Sequence, residues 1–184
     1  MKQEIEQRLP NIDNNSQELL GILTAVVNQY TYDLDEIMSG IDNDILKTNN
    51  PAIYTIEHYF LKLSSCLYTM CEKVETLGVY DSISKSKAQE VYNNSYLKYQ
   101  YDTSGDKKKP TVAELTAMSE NDSLYDRTVN ELYGRAYKIV KNKIASAESM
   151  VSTLSKILSH RIQESQLTST QTGRQILNEG ERYF

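Results

Sequence analysis

The stretch LYDRTVNELYGRAYKIVKNKIASAESMVSTLSKILSHRIQE, from Leu124 to Glu164, decides the fold. It contains no proline, and Leu132, Ala136, Ile139, Val140, Ala147, Val151, Leu154, Leu158 and Ile162 return at intervals of three, four or their multiples. That spacing lays them on one stripe of a helix with about 3.6 residues per turn. A helix of about 40 residues at ~1.5 Å rise is roughly 60 Å long, more than a small domain's diameter. Part of the stripe therefore needs a partner, from this chain or from a second copy. Basic residues crowd the segment: Arg135, Lys138, Lys141, Lys143, Lys156 and Arg161, with Glu148 the one acid between the first and the last.

Upstream, the same period appears twice more. Leu19, Leu23, Val26, Tyr30, Leu34, Ile37, Ile41 and Ile45 predict a helix over 12–47, its second half dense in acids and read as a solvated face. Asn50 and Pro51 open a second helix, because a first-turn residue needs no amide donor. Its stripe is Ile53, Ile56, Phe60, Leu63, Leu67, Met70, Val74 and Leu77, and Gly78 reads as its C-terminal cap. The connection at Lys47–Asn50 is short, so the two should form an antiparallel hairpin. A third helix should run from about Ser82 to Tyr101. The glycine, proline and charges between Tyr101 and Pro110 then predict a loop. Thr111 and Glu114 have the spacing of a capping box for a short helix before the long one.

No β-branched alternation supports a strand. The expected fold is all-α: a helical hairpin and a long C-terminal helix in an extended, coiled-coil-like, homo-oligomeric bundle. Three segments follow: an acidic hairpin over 1–78, a tyrosine- and lysine-rich helix, loop and long helix over 79–165, and a polar, extended tail over 166–184.

The chain has 184 residues and a net charge of −5, three prolines, no tryptophan, and fourteen tyrosines against two phenylalanines. Charge is uneven: residues 1–78 carry twelve acids and five bases, so the acidity resides in the hairpin and the remainder is slightly basic. Such asymmetry points to a specialised face or to a solvated helix surface. The absence of a long apolar run or a cleavable leader predicts a cytoplasmic protein with no membrane contact. Cys66 and Cys71 lie five apart on a helix and point to different faces, which argues against a disulfide or a metal pair. With two histidines, no nucleophile–base motif and no glycine-rich phosphate loop, the reading is a non-enzyme without cofactor or metal.

One constellation carries chemistry. Tyr92, Tyr96 and Tyr99 share a helix face beside Lys98, and Tyr101 leads on to Lys107, Lys108 and Lys109. Lysines that track phosphates and rings that stack on bases are the components of a single-strand binding site. The same residues also suit a tyrosine core beside a solvated loop. Arg135, Lys138, Lys141 and Lys143 pose the same choice as a second basic face.

The order of these features resembles the UvsY family of phage recombination mediators. The resemblance covers about residues 85–165: a tyrosine-rich helix ending Tyr96-Leu-Lys-Tyr-Gln-Tyr101, a Ser104-Gly105-Asp106 loop with bases, a short helix with Glu114 and Ala117, and a long helix with Tyr133 and Tyr137 ending near Leu158–Arg161. It implies a protein that binds single-stranded DNA, displaces single-strand-binding protein, loads a strand-exchange recombinase and assembles with itself into a ring, in the cytoplasm of the phage's host. The family's DNA-contacting stretch corresponds to Lys98 and Lys107–Lys109. The acidic hairpin and the negative net charge depart from the family pattern. They leave open a second class, a helical protein-interaction module such as a nucleic-acid mimic that inhibits a defence enzyme, or a virion component.

Overall fold

The computed structural model describes residues 14–101 and 110–180. Among them the fold is all-α and holds no strand. Helix α1 spans Asn14–Ile41 and passes into a π-helical turn, Asp42–Leu46; α2 spans Ile53–Tyr101, α3 Val112–Asp122 and α4 Leu124–Gly180. Among the described residues, contacts define two compact units. One lies within Met1–Tyr30 and Cys71–Asn142, the other within Thr31–Met70 and Lys143–Phe184. The units are thus discontinuous in sequence.

The second unit contains the turn of the hairpin and the parts of α1 and α2 that flank it. Its core is Leu34, Ile37, Ile41 and Ile45 with Ile56, Leu63 and Met70 of α2 and Ala147 and Leu154 of α4. The ring of Tyr59 lies over Gly40, where a Cβ would fall 2.5–2.9 Å from its atoms, and its hydroxyl donates to Asp44 in the π turn. Thus a glycine that weakens α1 locally is what admits α2. The acids of α1 and the π turn are only partly a solvated face: Asp35 is paired with Lys143 and Asp42 with Lys47, and Asp44 accepts from Tyr59.

In the first unit, Val74, Leu77 and Ala88 of α2 are buried with Val27, Leu115, Ala136 and Val140. Between Leu77 and Ala88 lies a polar layer. Asn130 Nδ2 of α4 donates to the Asp81 carbonyl at 3.2 Å, to Asp81 Oδ1 at 3.3 Å and to Ser84 Oγ at 3.1 Å. Ser84 in turn donates to the Asp81 carbonyl, so the group is closed on itself.

Two expectations are corrected. Gly78 does not end a helix, and Ser82 does not start one: α2 is a single 49-residue helix. A glycine inside a helix costs about 1 kcal/mol relative to alanine, which packing outweighs. Here the missing side chain makes room for Tyr137, whose Cε2 lies 3.3 Å from the position of a Cβ. Ser82, which reads as the start of a helix, instead donates to the Gly78 carbonyl one turn back. Second, the expected extended tail after 165 is helical to Gly180. The segment lacks the apolar period that marks a packed helix, yet it also lacks proline. Thr168 and Thr170 donate to the carbonyls of Glu164 and Gln166.

The capping box forms as the spacing predicts. Glu114 N–H donates to Thr111 Oγ1 at 3.3 Å, and Thr111 N–H donates to Glu114 Oε2 at 2.7 Å. The Thr111 N–H bond, and after it the Thr111 hydroxyl donating to the same Oε2 at 3.0 Å, hold the Glu114 carboxyl below the usual range.

Candidate nucleic-acid interface

The last two turns of α2 carry four of the expected contacts. Tyr92 and Tyr96, one turn apart, have ring centroids 6.3 Å apart and are half-buried, as is Tyr99. The Tyr99 hydroxyl donates to Asp122 Oδ2 of α3 at 2.8 Å. That bond, before desolvation and the nearby charge, raises the Tyr99 phenol above its ordinary value. A phenol tied in this way is an anchor for the end of α2. Lys98 is exposed and its Nζ stands 5.6 Å from the Tyr99 ring centroid, a cation–π distance. Tyr101 is 71% exposed. Lys107, Lys108 and Lys109 lie outside the described residues. Within the expected set, then, Lys98 and Tyr101 face solvent, whereas Tyr96 and Tyr99 are committed in large part to packing.

The second basic face divides in the same manner. Arg135 and Lys138 are exposed on α4. Lys141 lies with its Nζ 5.6 Å from the Tyr137 ring centroid. Lys143 turns inward, donating to Thr31 Oγ1 at 3.1 Å and pairing with Asp35. Its charge is neutralised within the fold, which leaves Arg135, Lys138 and Lys141 as the outward cations of that group. Asp122 and Asp126 introduce acid near these elements, and Asp126 pairs with Lys87 at 3.3 Å. Neither acid–base pairing has a local sequence signal, since the partners lie on different helices.

The first unit also holds an apolar groove of about 540 Å³, lined chiefly by Leu19, Leu23 and Val26 of α1 and by Leu124, Val129 and Leu132 of α4. The periodicity of α1 marks those residues as apolar but does not say that they remain uncovered.

His58 stacks at 6.3 Å on Tyr54 and meets Tyr59 edge-on at 5.6 Å, an aromatic role. Cys66 and Cys71 form no disulfide. Among the described residues no group of three His, Cys, Asp or Glu is placed to hold a metal ion, and no helix is long and apolar enough to cross a membrane.

Comparison of the chain with protein-family models, curated proteins and solved structures finds no match.

Proposed function

We propose that this chain is a non-enzymatic recombination mediator that holds single-stranded DNA along the end of α2 and the Lys107–Lys109 segment, and helps to load a strand-exchange recombinase against single-strand-binding protein. The observation that supports it most is the pairing of exposed Lys98 with exposed Tyr101 at the point where α2 gives way to three further lysines. The Tyr99–Asp122 bond ties the end of α2, which carries both residues, to α3. A ring stacked on a base contributes ~1–3 kcal/mol, and each lysine on a phosphate adds about 0.7 to the slope of log affinity against log salt. Four lysines thus set a slope of at most about 3.

Fluorescence anisotropy with a labelled oligothymidine, over a salt series, tests the reading. Wild-type affinity should fall with salt at that slope. Replacing Lys98, Lys107, Lys108 and Lys109 by alanine should flatten it while leaving the melting temperature unchanged. Wild-type protein that does not bind at low salt would rule the mediator out. The protein-interaction module would then be the better reading, supported by the net charge of −5, the internal pairing of Lys143 and the apolar groove.

A further inference from the structure

The first half of α2 carries a row of large side chains on its outer side. Tyr54, Leu61 and Tyr68 recur every seven residues and are 76%, 66% and 84% exposed. The buried residues Ile56, Leu63 and Met70 keep the same seven-residue period. The outer row therefore holds a constant offset from the packed seam instead of winding around it. The outward face of a helix is ordinarily polar or charged. Here it presents a straight strip of two aromatic rings and a leucine, with the His58 ring stacked against Tyr54 at one end.

We infer that this strip is a self-association surface on which two copies pair antiparallel, with a two-fold axis through Leu61. The inference stands apart from the DNA reading and uses none of its residues. The pattern itself selects a second copy as the occupant. Tyr–Leu–Tyr at equal spacing reads the same in both directions, so a copy turned end for end sets Leu61 on Leu61 and Tyr54 on Tyr68, as a two-fold interface requires. Charge selects the direction. In a parallel pair Glu57 would face its own counterpart, and like charges at an interface are costly. Turned end for end, Glu57 faces Ser65.

Size fixes the strength. A tyrosine buries ~150–250 Å², so the three exposed side chains offer roughly 400 Å² per copy, about half of the ~800 Å² of a standard interface. Glu57, His58 and Ser65, all exposed, flank the row and bring it toward the lower end of that range. The product is a weak, concentration-dependent dimer. A self-association surface on α2 also differs from the expectation, drawn from length and periodicity, that the long C-terminal helix is the element a second copy covers.

Cross-linking in the full chain tests it, with Cys66 and Cys71 replaced by serine. Facing residues on an antiparallel helix pair approach within the ~7 Å Cα separation a disulfide tolerates. Mild oxidation should join Leu61→Cys to itself and join Tyr54→Cys to Tyr68→Cys in a mixture, while Tyr54→Cys alone stays monomeric. Tyr54→Cys linking to itself as well as in the mixture would overturn the arrangement. In sedimentation velocity, the wild-type mass should rise with concentration and Leu61→Glu should remain monomeric with an unchanged circular-dichroism melt. A wild type that stays monomeric at every concentration, or a Leu61→Glu variant that associates equally, would overturn the surface.

Discussion

Lys143 of α4 and Asp35 of α1 form an ion pair over Thr31, whose hydroxyl donates to the same carboxylate and accepts from the same ammonium. Thr31 is fully buried, so three polar groups satisfy one another at the edge of an apolar core. Lys143→Ala should destabilise the protein by about 1 kcal/mol, less than a buried charged bond because both charged ends keep partial access to water. Urea denaturation measures this. Lys138→Ala, at an exposed position of the same helix, should leave the midpoint unchanged.

Two glycines of α1 should respond with opposite sign. Gly21 has nothing within 4 Å of a Cβ, so Gly21→Ala should stabilise by up to about 1 kcal/mol through helix propensity. Gly40→Ala drives a methyl into the Tyr59 ring and should destabilise by about 1–3 kcal/mol despite the same propensity gain. Thermal melts of the two variants, compared directly, check the sign.

Leu63 and Leu154 are fully buried, on α2 and α4 of the same unit. Either leucine replaced by alanine should cost about 2–5 kcal/mol, the sum of lost burial and residual cavity. Leu61→Ala, two residues from Leu63 but exposed, should change stability by less than about 0.5 kcal/mol. Chemical denaturation of the three side by side separates the seam from the outer row.

Tyr99 should ionise late. Its phenol lies above the ordinary 10.0 because the protonated form donates to Asp122. The bond is intact below pH 10.0 and is lost as pH rises through the raised value. In a phenolate absorbance titration, Tyr99→Phe should remove one late-titrating tyrosine, and Asp122→Asn should shift that tyrosine toward the ordinary range.

Glu114 behaves in the reverse direction. Its carboxyl lies below the ordinary 4.5, so the box at the start of α3 is complete above that pH and opens as pH falls through the lowered value. Amide chemical shifts of Thr111 and Glu114 followed through an acid titration should report that opening, and Thr111→Ser should preserve it.

The α2 stripe from Ile53 to Leu77 was readable because a packed helix repeats its apolar positions locally, and the same holds for Thr111 and Glu114, three residues apart. Gly78 was not readable as an interior residue. A glycine after an apolar run looks the same whether it caps a helix or makes room for a ring, and the ring, Tyr137, lies 59 positions later. Lys143 presents the same difficulty, since it is one more base among Lys138 and Lys141 until Asp35 is placed beside it. The segment after 165 reads as extended because it lacks a stripe, but a stripe reports packing and not helicity. At the candidate site, composition marks Lys98, Tyr96, Tyr99 and Tyr101 as one cluster. Which rings are anchors and which are open depends on Asp122, which only the fold supplies.

The Asn130–Asp81–Ser84 group also acts as a check on assembly. Asp81 and Ser84 stand seven residues after the buried Val74 and Leu77, so a seven-residue slip of α2 along α4 would set this polar pair where apolar side chains pack. A slip parts the Asp81 carboxylate from the amide that serves it and sets it against a side chain such as Tyr137 or Ser123. Asp81 is half-buried, so leaving its carboxylate unserved costs less than the ~1–3 kcal/mol of a fully buried polar group. The group thus favours the one alignment of α2 and α4 that closes it.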